Sequence, residues 1–561
     1  MPVLIVLMLA LGCGHASRAP AGRRPPPNGP SARASGSDAS ATAAQLSEET
    51  HALLRAEGDL LWTRWTTGSG SLPASALAEH PRLLQRESID TVSAAAARSS
   101  GSDAVALGLL SQQLATLAVS REAGAEIDAL ERARSQLAFP APGETRATLG
   151  ERDLDRLLRD EPKAQKRAAL AQAEAKVAQT LAPLAIARDA AVDKAIAALG
   201  LQSWAAVQER AYGIPLADLA RLAESTLDAT ERVGARAVST ASVRNLGITA
   251  DRLRRADLPR LARTALADPQ FTPGKAWPTV RDVLALVGAP PPPGLRVDAE
   301  PSPSKGARPL ALLVDPPADV RLSLRPAGGF EEQRATLHEG ARAVGGTLID
   351  VPRWELAQLG DGCAAEAVAL LFESLAGHPE WLRATTQLRG EPLDDMVHTE
   401  ATRRLLAARR AAALVLFEIR RREGPGTPEA QAALYRGLLQ RALFVVLSDD
   451  DAGRWALEAE SSMRSVTPLV AAVLAAQLEQ SFGASWWTTP RPVLKQIWAG
   501  GRSLRAVEAA RALGLTQLDP AALAAVADER LHYSAPDAPP APPKPDYKYM
   551  QGDKKKRRKR R

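Results

Sequence analysis

The chain is poor in cysteine, in aromatic residues and in long apolar runs, and each shortage removes a way of building a protein. Cys13 and Cys363 are the only two cysteines in 561 residues, so no disulfide framework holds the fold and its stability must come from an apolar core. Aromatic residues make up 4% of a sequence that is 45% hydrophobic and rich in alanine, which favours Ala/Leu helices over a sheet-dominated fold. No internal repeat is evident. Charge of one sign is scarce until the end: Lys554 to Arg561 is an unbroken basic run that supplies the whole net charge of +7, so the high isoelectric point belongs to a tail and not to the body.

Val3 to Leu11 is an apolar run too short to span a bilayer, and it leads through Ala10-Leu11-Gly12 into Cys13. This pattern resembles a bacterial lipoprotein signal, with residues 1–12 removed and Cys13 lipidated as the first mature residue; the alternative is a plain secretory signal. Both readings export the protein, and the first anchors it to a membrane of the cell envelope, facing the periplasm or in the outer membrane. With Cys13 lipidated, Cys363 has no partner, and its alanine-rich surroundings read as those of a small buried cysteine. Residues 14–42 are mostly Gly, Pro, Ser, Ala and Arg and read as a disordered tether. At the other end, Pro/Ala-rich sequence precedes the basic run, so residues 531–561 read as an unstructured tail. On an exported chain that tail suits an anionic envelope surface, and nucleic acid is not an expected partner.

Between the ends, apolar residues recur at helical spacing over Glu48–Trp65, Asp103–Leu137, Glu151–Leu199 (with a break at Pro183) and Leu216–Leu246. A proline-rich connection occupies 290–309. The spacing then changes to period two over Val320-Arg321-Leu322-Ser323-Leu324-Arg325, which predicts a strand. Gly328-Gly329 breaks it, and Phe330–Val344 returns to helical spacing. That helix carries His338-Glu339-Gly340-Ala341-Arg342, the zinc-peptidase motif H-E-x-x-H with its second histidine replaced. In the intact motif two imidazoles one turn apart reach one metal while the glutamate polarises water. Arg342 is no ligand, because a guanidinium stays protonated and offers only donors.

Downstream, Glu366 and Glu373 stand two turns apart on one expected helix face, in Asp361-Gly-Cys-Ala-Ala-Glu366 and Leu371-Phe372-Glu373-Ser374-Leu375, followed by His378-Pro379-Glu380-Trp381-Leu382. Together with Leu184–Trp204, Phe482-Gly-Ala-Ser-Trp486-Trp487 and Trp498-Ala-Gly-Gly-Arg-Ser-Leu504, these segments are similar to the thimet oligopeptidase and oligoendopeptidase family of zincin metallopeptidases, relatives of angiotensin-converting enzyme. The resemblance covers roughly Thr42 to Glu529. It implies a mainly α fold of two helical lobes around a deep central cleft, with a small β-sheet beside the motif helix. It also implies an N-terminal helical region over 43–289 and a metallopeptidase-like region over 290–530.

Carried over residue by residue, the resemblance makes His338 and Glu366 vestigial zinc ligands and Glu339 a vestigial general base. His378 and His398 match no ligand position and read as surface or helix-end histidines. Family members also stabilise the tetrahedral intermediate with a tyrosine or histidine from a late segment, and the corresponding Met463–Val470 contains neither. The expectation is therefore an envelope lipoprotein with a degenerate site, no cofactor, and a cleft open to a peptide or a protein. Arg342 is expected to pair with Glu366, replacing the charge of the metal. Two alternatives stand beside it: an active peptidase that recruits zinc through non-standard ligands, and a structural surface protein that acts through its basic tail.

Overall fold

A computed structural model describes residues 36–70, 73–141, 148–424 and 426–535. Cys13, the signal segment and the basic run from Lys554 lie outside the described residues. The fold is mainly α, as alanine and leucine usage predicts, and no helix among the described residues is long and apolar enough to cross a membrane.

The helical periodicities become helices whose limits follow local chemistry. The first runs over Gly36–Thr67, so it begins inside the stretch assigned above to a tether. Composition misjudges this segment because Ala43, Leu46 and Leu53 are buried at helical spacing, and burying one face outweighs the small-residue bias around it. The second periodicity divides at Ala123 into Gly101–Glu122 and Gly124–Ser135. The third divides into Glu151–Asp160, Ala164–Ala178 and Ala182–Ala198. Pro183 stands in the first turn of the last of these, where a missing N–H leaves no hydrogen bond unmade.

Among the described residues, five strands form two small sheets. β1 (Ala138–Pro140) pairs antiparallel with β2 (Thr148–Gly150). β3 (Arg296–Asp298), β4 (Leu310–Asp315) and β5 (Asp319–Ser323) form the second sheet in the order β3-β5-β4, with β3 parallel and β4 antiparallel to β5. β4 is an edge strand, yet nearly all of it is buried, because helices cover both faces. Leu312 and Val314 pack with Leu61 and Trp62 of the first helix. Ala311 and Leu313, on the other side of the pleat, join the principal core.

That core runs from Ala123 to Ala510 and takes residues from both sides of position 289, including Val283, Leu284, Leu322 and Leu337. A smaller core gathers Ala43, Leu46, Leu83, Val92, Leu110 and Leu114 with Leu359. Burial thus separates the first helices from the rest and does not follow the boundary at 289/290.

The motif helix, Phe330–Thr347, lies at the centre of the principal core. Its start is fixed from two directions: Glu332 accepts the Ala327 and Gly328 N–H groups at 2.6 and 2.5 Å, and Asp268 accepts that of Phe330 at 3.0 Å. These carboxylates satisfy donors the helix cannot, and they complement its dipole. Two glycines set how closely its neighbours approach. A Cβ on Gly340 would stand 2.7 Å from Val280, and one on Gly345 would stand 2.3 Å from the Trp498 ring. Glycine weakens a helix by about 1 kcal/mol relative to alanine, and here the close packing of Val280 and Trp498 takes the place of that loss.

Candidate functional site

Two short helices bring the site together. The motif helix presents His338, Glu339 and Arg342, and the Cys363–Glu373 helix presents Glu366 and Glu373. The second helix starts at Gly362, in the left-handed region at φ 65°, with the Asp361 carboxylate accepting the Cys363 N–H at 2.6 Å.

His338 lies between the two glutamates of the second helix. Its Nε2 is 3.3 Å from Glu366 Oε1, and its Nδ1 is 2.9 Å from Glu373 Oε2. Glu373 is in turn held by Arg334 at 2.7 Å and by Arg403 of the long Glu391–Glu423 helix at 2.9 Å. Arg403 also reaches Glu400 at 2.8 Å, and Arg334 pairs with Glu331. On the other side, Arg342 Nε is 3.9 Å from Glu366 Oε2, while its Nη1 is 3.3 Å from Glu339 Oε2. The same Glu339 oxygen accepts the Ala311 N–H at 2.9 Å, on the open edge of β4. The result is a chain of alternating charge, from Glu400 through Arg403, Glu373, His338, Glu366 and Arg342 to Glu339.

Position in this chain decides protonation. Burial opposes a charged His338, but the charges and hydrogen bonds of Glu366 and Glu373 outweigh it and hold the imidazolium up to about 10. Burial likewise opposes an ionised Glu366, and His338 and Arg342 overcome it, bringing the carboxyl down to about 2. Glu373 is pushed well below the carboxylate range by Arg334, His338 and Arg403, against its burial. His338 is therefore a cation at neutral pH, and both of its nitrogens act as donors.

The two carboxylates engage different nitrogens of the His338 ring, Glu366 at Nε2 and Glu373 at Nδ1. Among the described residues no group of three or more His, Cys, Asp or Glu side chains is arranged to hold a metal ion. Arg342 lies within reach of Glu366, as its fork geometry predicts, but Glu339 is its nearer partner.

The remaining candidates fall elsewhere. Cys363 is buried, and burial beside Asp361 raises its thiol well above the usual range. His378 stands at a helix end, as expected, at the start of Pro379–Thr385, and is fully buried there; burial, with Arg530 nearby, brings it down to about 3. His398 is neither on the surface nor at a helix end. It is half-buried within the Glu391–Glu423 helix, 2.9 Å from the Tyr533 carbonyl and 3.1 Å from Arg244. The burial of both has one cause: the helices that carry these histidines are enclosed by other helices, which spacing along a single sequence does not show.

Met463–Val470 does come to the site, at the start of the Val466–Phe482 helix. Beside the charge chain a pocket of about 60 Å³ is lined by Thr467 of that helix together with Arg342, Glu366, Asp361, Trp498 and Arg502. Nothing in the sequence singles out Arg502. Its neighbours Gly500 and Gly501 mark a turn there, but nothing in their spacing says which way the guanidinium points. No protein-family model matches the chain, and no curated protein matches it.

Proposed function

We propose that this protein is an exported, membrane-anchored lipoprotein with a metallopeptidase-like fold, two helical lobes about a cleft, that has lost zinc-dependent catalysis and uses the cleft to bind a peptide or a partner protein. The observation that carries this reading is the Arg342 guanidinium, 3.3 Å from Glu339 and 3.9 Å from Glu366. It puts a fixed positive charge where the intact motif would supply a second imidazole. The donors present do not fit a catalytic zinc ion, which takes three protein ligands and keeps a position for water. Arg342 offers only donors, so His338 and Glu366 are the two ligands left of the expected three. Glu339, bonded to the Ala311 backbone and to Arg342, has no activated water to serve as a base. The absence of tyrosine and histidine from Met463–Val470 removes the oxyanion donor independently.

The test is the zinc content of the purified full-length protein together with cleavage of a peptide library. Substoichiometric zinc and no cleavage are expected. Stoichiometric zinc with chelator-sensitive cleavage would overturn the reading and favour an active peptidase with non-standard ligands.

A further inference from the structure

Beside the charge chain, one cation stands outside every direct ion pair. Arg342 is shared between Glu339 and Glu366, and Glu366 is shared between His338 and Arg342. Asp361 accepts the Cys363 N–H at 2.6 Å. Arg502, facing the same pocket, donates to the Gly360 carbonyl at 3.0 Å and has no carboxylate within 4 Å among the described residues. Its guanidinium is driven down by burial and by the like charge of Arg342, with Asp361, Cys363 and Glu366 acting the other way at longer range. A half-buried cation held beside a second cation is costly until an anion joins it. Thr467 adds a hydroxyl at the start of the 17-residue Val466–Phe482 helix, whose dipole favours negative charge there.

The pocket also limits which anion fits. At about 60 Å³ it is small. The carboxylates of Asp361 and Glu366 lie on its wall and repel a dianion such as phosphate more than a monoanion. Leu313, Ile349 and Trp498 complete the wall with apolar surface. A planar carboxylate matches the fork of a guanidinium, and a short apolar group beside it matches the rest.

We propose that this pocket binds a monoanionic carboxylate carried on a short apolar group, gripped by Arg502. The C-terminus of a peptide and a free short-chain carboxylic acid share that chemistry. The inference rests on the non-catalytic reading of the neighbouring site only in that the pocket takes a chain end and not a scissile bond.

The experiment is calorimetric titration of the full-length protein with four probes: butanoate, a tripeptide ending in leucine, the same peptide with an amidated C-terminus, and inorganic phosphate. The free-acid peptide is expected to bind at least about tenfold more tightly than its amide. Butanoate binding as tightly as the peptide assigns the site to small acids, and tighter peptide binding assigns it to chain ends; both support the proposal. Equal binding of acid and amide, no binding of either acid, or binding of phosphate alone overturns it. Arg502→Gln should weaken acid binding about tenfold or more, and Arg502→Lys, which keeps the charge without the fork, should weaken it less. The acid-against-amide comparison needs no variant, so it stands even where Arg502→Gln fails to fold. Zinc-dependent cleavage would sink the non-catalytic reading while leaving the acid-over-amide preference to be judged by itself.

Discussion

Protonation of His338 is the point at which the charge chain is most open to experiment. Glu366 and Glu373 hold the imidazolium up to about 10, against an ordinary 6.5. A raised value in the folded state means that the stabilisation is complete below the unfolded value and is lost as pH rises toward the folded one. At about 1.4 kcal/mol per unit, the His338 contribution should fall by about 3 kcal/mol between roughly pH 6 and pH 9. The parts of the Glu366 and Glu373 shifts that come from His338 describe the same contacts from the other side, so they are counted once. His338→Gln removes the titration, so the stability difference between wild type and variant should be largest near the lower pH and shrink by that amount at the higher. Urea unfolding of both proteins at the two pH values measures it, and ring nitrogen NMR of histidine-labelled protein, assigned by loss of one signal in the variant, gives the protonation state directly. A difference that does not change with pH, or a ring that titrates near its ordinary value, would refute the alternating-charge account of the site.

Removing Arg342 without replacing its charge, as in Arg342→Met, leaves Glu339 and Glu366 buried with one cation fewer. A loss of about 3–5 kcal/mol in urea unfolding is expected, and a loss below about 1 kcal/mol would mean the guanidinium is not their counter-ion. Arg342→His should instead provide a second imidazole one turn from His338 and near Glu366; zinc retained after dialysis should rise with little or no peptide cleavage, and no gain of zinc would count against the two helices being placed as described. Gly345→Ala puts a Cβ 2.3 Å from the Trp498 ring, so destabilisation of about 1–3 kcal/mol with altered tryptophan fluorescence is expected; unchanged stability would show that this contact relaxes freely. In acid, the contribution of Glu366 should be lost as pH falls from its ordinary 4.5 toward about 2, and a flat acid profile for the wild-type minus Glu366→Gln difference would contradict the low carboxyl value.

Features legible in the sequence were those that depend on local periodicity. Alternation over Val320–Leu324 marks β5, and spacing puts Glu366 and Glu373 on one helix face, while only the family resemblance implies that this helix meets the one carrying His338. β4 was missed for a physical reason. Leu310-Ala-Leu-Leu-Val is buried on both faces, and a continuous apolar run carries no period to separate a strand from a buried helix. Gly36 to Thr42 was assigned to a tether because composition records small residues and not the Ala43-Leu46-Leu53 face that follows. The arginines of the charge chain were hidden for a third reason. Arg334 and Arg403 look like solvated helix cations until a carboxylate from another element stands beside them, and Arg403 meets Glu373 from 30 positions away.

The principal core has a consequence for how this chain is made. Its early helices are tied to its late ones: Arg134 donates to the Ala456 and Ala459 carbonyls, Trp204 to that of Ser461, and Tyr212 to those of Ser462 and Met463. Residues near 130–210 therefore cannot complete their packing until the segment around 460 has been synthesised. A nascent chain stopped between these points presents unpaired apolar helices, and folding in which an N-terminal half matures first is closed to it. Truncations ending before that segment should accumulate as aggregates or as clients of holding chaperones, whatever the finished protein binds.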